Sequence, residues 1–131
     1  MRKGFTLIEL LIVLAVIAAL MSVATPLALN AVKNAKASQV AQNLRNIKTA
    51  VESYINTEKE LPQGTATLES KNYIKVPDGY DLDTEQSGGT LIATITYNAG
   101  DVEADRVQKF WNEIKLVDNK PAVVVTVQKW W

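Results

Sequence analysis

The chain has 131 residues, with 14 basic and 14 acidic side chains and a formal net charge of zero. It contains no cysteine and no histidine, which excludes disulfides and thiolate chemistry and removes the commonest general base and metal ligand. The length bounds the protein to one domain at most, and the balanced charge gives no firm nucleic-acid signal.

Between residues 5 and 29 only Thr6, Glu9, Ser22, Thr25 and Pro26 are not apolar. A bilayer core takes roughly 20 such residues as a helix, so the stretch reads as membrane-spanning. Arg2 and Lys3 stand just before it, which predicts a cytoplasmic N-terminus and export of the remainder. Glu9 is the one acid in this stretch, and a carboxylate in lipid is costly unless paired. An ordinary secretory signal is an alternative reading. Arg2 and Lys3 would form its basic region, residues 10–21 its apolar region, and Ser22-Val23-Ala24 its cleavage site. That reading, like a plain membrane anchor, leaves Glu9 unexplained.

Past Pro26 the pattern becomes one-sided. Val40, Leu44, Ile47, Val51 and Tyr54 recur at steps of four and three, with polar residues on the other face, which is the signature of an amphipathic helix. No glycine or proline interrupts residues 27–61. The spacing predicts one helix over residues 6–58, about 80 Å long, with Pro26 as a kink or a local gap in its bonding. Its first half should face lipid or other apolar helices, and its second half should pack on a globular head.

Leu61-Pro62-Gln63-Gly64 should end the helix. Leu68, Tyr73 and Ile74 predict a short helical turn, followed by a polar loop closed by Gly88-Gly89. Asp78, Asp81, Asp83 and Glu85 in that loop are candidate calcium ligands, because hard cations take clustered carboxylates. Their spacing matches no EF-hand loop, and a solvated acidic loop gives the same pattern. Residues 90–97 alternate at period two and predict a strand. Residues 98–101 read as a turn. Val107, Phe110, Trp111 and Ile114 have helical spacing, with Asp101 or Asp105 as caps. Leu116-Val117, then "DNK", then residues 122–131 predict a hairpin with a strong last strand. Burial of Ile92, Ile95, Tyr97, Val123, Val125 and Val127, or of their alternate-face neighbours, would hold the sheet. The class is α+β: a long N-terminal helix on a small antiparallel sheet.

Trp111, Trp130 and Trp131 are candidates for an adhesive patch, with packing as the plainer role for Trp111. Lys109, Lys115, Lys120 and Lys129 are candidate DNA contacts, though the zero net charge argues against them. Apart from Glu9 no carboxylate lies in an apolar context, so the sequence offers no catalytic residue and no cofactor site.

The run Gly4-Phe5-Thr6-Leu7-Ile8-Glu9, with a basic tip before it and an apolar stretch after it, resembles the type III signal of type IV pilins and pseudopilins, the class III prepilins. The likeness is sharp over residues 1–30 and only architectural beyond them. It implies a leader of residues 1–4, a transmembrane and assembly segment of residues 5–29, and a head of residues 30–131. It implies that a prepilin peptidase cuts between Gly4 and Phe5, and that Phe5 becomes N-methylated. Glu9 would then pair with the Phe5 amine of a neighbouring subunit, and Pro26 matches a proline that recurs where the family's helix leaves the membrane. The function so implied is a structural pilus subunit, held in the inner membrane as precursor and then in an extracellular or periplasm-spanning filament. Its partners would be further copies of itself, the peptidase, the assembly platform and, before assembly, the bilayer. A pseudopilin of a type II secretion or DNA-uptake system is the alternative within the family. An exported, membrane-anchored binding module is the alternative outside it.

Overall fold

A computed structural model of the chain describes residues 4–131. Met1, Arg2 and Lys3, and with them the basic tip and most of the expected leader, lie outside the described residues. Helix α1 spans Leu7–Glu58, within one residue of the predicted start and at the predicted end. Pro26 lies inside it and has no N–H to offer the Ser22 carbonyl one turn back. The helix closes where Lys59 takes a left-handed φ of 60° and donates its N–H to the Ile55 carbonyl at 2.9 Å. The stop therefore falls before Leu61-Pro62, and a lysine holds the position where glycine is usual.

The chain divides into two compact units, one reaching Lys33 and the other covering Asn34–Trp131. In the second unit α1 buries Ala37, Val40, Ala41, Leu44, Ile47, Val51, Tyr54 and Ile55, and these join the sheet's buried residues in one core cluster. The whole predicted stripe is among them. The alanines on the same stripe keep that face slim enough for close packing.

The head contains strands β1 (Tyr80–Ser87), β2 (Thr90–Tyr97), β3 (Lys115–Val117) and β4 (Lys120–Gln128), with short helices α2 (Thr65–Ser70) and α3 (Ala104–Gln108). The strands form one sheet in the order β1-β2-β4-β3, antiparallel throughout. Period-two alternation sends Leu91, Ala93, Ile95 and Tyr97 of β2 inward. Val123 and Val125 of β4 join them. Ile92 pairs with Thr126 on the opposite, outer face, so it does not belong to the inner set with Ile95. Asp118 and Asn119 have φ of 52° and 60°, the paired left-handed conformation of a two-residue hairpin turn. That turn is one residue shorter than "DNK", and Lys120 starts the strand.

Two predictions need correction. Residues 80–87, expected to be polar loop, are strand β1. Only Tyr80 of this strand is buried, with Leu82 partly so, so its apolar alternation is confined to two residues, and its hydrogen-bonded register with β2 holds it extended. The helix expected over Val107 to Ile114 forms earlier, at Ala104–Gln108, and contains only Val107 of the four apolar residues. Successive turns, with Phe110 N–H on the Val107 carbonyl and Ile114 N–H on the Trp111 carbonyl, reproduce the helical spacing without a helix. Glu103 occupies the N-cap with no side-chain capping bond, so neither Asp101 nor Asp105 has that role.

Candidate functional site

The first turn of α1 is built by Thr6. Its carbonyl accepts the Leu10 N–H at 3.1 Å, the first helical bond, and its Oγ1 accepts the Glu9 N–H at 3.2 Å. Thr6 is thus the N-cap, and Thr6-Leu7-Ile8-Glu9 has the spacing of a capping box. Glu9 is the acid of the first turn and half-buried. A carboxylate there faces the positive end of the helix dipole. The helix itself therefore favours an acid at position 9, near the start of the apolar segment. Sequence reasoning missed this contribution, although the threonine three residues before the glutamate was the available signal.

Gly4 is exposed, and a Cβ placed on it would meet no atom within 4 Å. The fold sets no requirement for glycine at this position. Phe5 follows with 82% of its surface exposed. From Phe5 to Val32 every large apolar side chain is exposed. Fully burying each such side chain is worth about 1.5–3 kcal/mol, so the segment needs a cover of lipid or protein. By length and composition α1 can cross a membrane.

On the head, the Tyr97 hydroxyl donates to Asp101 Oδ1 at 2.6 Å, and Lys36 Nζ of α1 lies 3.6 Å from the same carboxylate. Burial, and then the Asp101 carboxylate, push the Tyr97 phenol well up. The hydrogen bond from Tyr97, with Lys36 beside it, holds Asp101 below the ordinary carboxylate value. The Tyr80 ring packs 4.8 Å from Tyr97, and the Tyr80 hydroxyl accepts Asn43 Nδ2 at 3.0 Å. Burial raises the Tyr80 phenol also. These phenols stay protonated at neutral pH, so the group latches the sheet and the following loop to α1.

Asp81, Asp83 and Glu85 alternate along β1 at a spacing of about 7 Å. Asp81 accepts a hydrogen bond from Asn98, and Asp78 lies in the turn before the strand. Among the described residues no three acids gather as a metal cluster would require. Trp111 lies under Arg45 and Lys48 of α1, 5.0 and 5.4 Å from its ring centroid, and packs against the core. Trp130 is 64% exposed. Its indole donates to Asn56 at 3.1 Å, Lys59 lies 5.2 Å from its ring, and Trp131 meets it edge-on. Lys109, Lys115, Lys120 and Lys129 are all exposed, but Lys109 follows α3, Lys129 follows β4 and only Lys115 and Lys120 share a hairpin.

Residues 1–25 match the family model described as the prokaryotic N-terminal methylation motif. The chain is also similar to fimbrial protein EcpB of Eikenella corrodens, 46% identical over 54 residues. That match covers 41% of this chain and 34% of the relative, so it spans about a third of the relative's length. No solved structure matches.

Proposed function

We propose that this type IV pilin-like chain is a structural subunit of a type IV pilus filament, made as a membrane precursor with its N-terminus on the cytoplasmic side. A prepilin peptidase cuts after Gly4, Phe5 is N-methylated, and subunits then polymerise through the apolar half of α1. The observation that carries this reading is the methylation motif over residues 1–25, laid on a helix whose apolar side chains are exposed from Phe5 to Val32. The fimbrial relative supports it.

Each step has a physical basis. Gly4 answers no need of the fold, which fits a glycine required by an enzyme instead. Cleavage leaves an amine on Phe5, one helical turn before Glu9. In a bundle of parallel copies the amine of one chain meets the carboxylate of the next, and the pair neutralises two charges that lipid disfavours. The exposed apolar surface moves from lipid into protein at little transfer cost, so packing and this ion pair decide assembly.

Mass spectrometry of the protein from sheared fibres tests the reading. The expected N-terminus is Phe5 with one added methyl group. A terminus at Thr25 would establish the secretory-signal reading instead, and an intact Met1 would overturn the processing step.

A further inference from the structure

The outer face of the sheet is electrically polarised. Register aligns Asp81 with Thr96, Thr96 with Ala122, and Ala122 with Lys115, so these four residues share one face. Asp83 and Glu85 follow Asp81 on that face along β1, and Lys120 precedes Ala122 on it along β4. Beyond Lys120 at the start of β4, the inner strands carry only uncharged residues there, among them Ile92, Thr94, Thr96, Val124 and Thr126. The β1 edge thus carries three acids and no base, while at the opposite side Lys115 stands on the edge strand β3 and Lys120 stands one strand further in, at the start of β4. Three strand spacings, about 14 Å, separate the two edges. Asp83, Glu85, Lys115 and Lys120 are exposed and form no ion pair among the described residues.

We propose that the β1 edge of one copy docks against the β3 edge of a second copy, with Asp83 and Glu85 facing Lys115 and Lys120. The spacings agree. Two acids at positions i and i+2 of a strand lie about 7 Å apart. Lys115 and Lys120 are diagonal neighbours across an antiparallel pair, about 7–8 Å apart. Glu113, two residues before Lys115, is held by Lys48 at 3.1 Å, and the two bases outweigh Asp118 at the hairpin tip. Two β1 edges repel each other, as do two β3 edges, so like edges do not pair. A contact between unlike edges is heterologous and repeats from copy to copy. Because the sheet is twisted, each added copy is rotated relative to the last, and such a contact tends to a helix. Val117 of β3, paired with Lys120 and exposed, supplies apolar area on the face of the lysines. This contact deepens the filament reading and rests on it for its biological setting.

The test uses the full chain, in cells that make no other copy. Lys115→Glu with Lys120→Glu should lower the yield of sheared fibres relative to the membrane pool by roughly tenfold, because like charges then face each other. Asp83→Lys with Glu85→Lys should do the same, and all four substitutions together should restore most of the yield. If the charges serve only to keep the edges from sticking, each double variant will polymerise normally, and the proposal is overturned. Failure of the fourfold variant to recover also overturns it. A second measurement does not depend on fibres. The chain has no cysteine, so Glu85→Cys and Lys115→Cys variants made together should give an oxidant-induced dimer that neither gives alone. Its absence from both fibres and membranes rejects the docking. If the wild type never enters fibres, the filament reading falls, and the cross-link in membranes still decides the edge contact.

Discussion

Replacing Tyr97 by phenylalanine removes one hydroxyl from a buried ring and leaves the ring's contact with Tyr80 in place. The lost interaction is the 2.6 Å hydrogen bond to Asp101. A bond to a charged group contributes roughly 1.5–3 kcal/mol. The Asp101 side chain is 52% exposed and keeps much of its hydration, so the expected cost is smaller, about 1 kcal/mol. On a small head that corresponds to a fall in Tm of about 4–8 °C. The assay is thermal melting of a head fragment beginning near Ala28, alone and in a cycle with Asp101→Asn. The two substitutions should be sub-additive, because Tyr97→Phe removes the bond and Asp101→Asn removes the charge that strengthens it. The pH profile adds a check. Asp101 is depressed in the fold, so its contribution is present above the ordinary carboxylate value and is lost as pH falls through the folded one. Tyr97 is raised, so its contribution is present below about pH 10 and is lost as pH climbs above it. Tyr97→Phe should flatten both arms. Wild-type melting of the Phe variant, or full additivity with Asp101→Asn, would refute the latch.

Three further outcomes are expected. Gly4→Val should leave the head's melting unchanged, since a side chain there has open space, while uncleaved precursor accumulates in membranes on a gel of whole-cell protein. Glu9→Ala should still insert in the membrane and be cut after Gly4, yet be lost from sheared fibres, with Glu9→Gln separating charge from shape; normal fibre yield from Glu9→Ala would remove its role in assembly. Leu44→Ala, at a fully buried position, should cost about 2–5 kcal/mol in denaturant melts of the head fragment.

How much of this was legible in the sequence depended on what held each element. The second half of α1 and strands β2 and β4 declare themselves, because burial on one face writes a period into their apolar residues. Strand β1 does alternate, with Tyr80, Leu82 and Thr84 opposite Asp81, Asp83 and Glu85, but only Tyr80 and Leu82 on its inner side are apolar, and the three acids on the other side make it read as a loop. The apolar residues of the α3 region are set by turns that happen to share a helix's spacing. At the N-terminus Glu9 was visible as an anomaly, and its relation to Phe5 followed from a resemblance. The hydrogen bond from Glu9 N–H to Thr6 depends on where the helix begins, and that boundary is the part a sequence locates least well. In the latch Tyr97 and Asp101 are only four residues apart, but Lys36 comes from α1, far off in the chain, and nothing in their spacing announces the contact.

The position of β4 has a consequence for timing. It follows the other three strands in the chain, yet it lies inside the sheet, with β2 on one side and β3 on the other. Until residues 120–128 have emerged, β2 lacks its inner neighbour and the core facing α1 stays open. The head therefore closes in one late step, by contacts between the chain's most distant parts, and topologies of that kind fold slowly. Without residues 120–128 the head is therefore still an open chain, its core face uncovered.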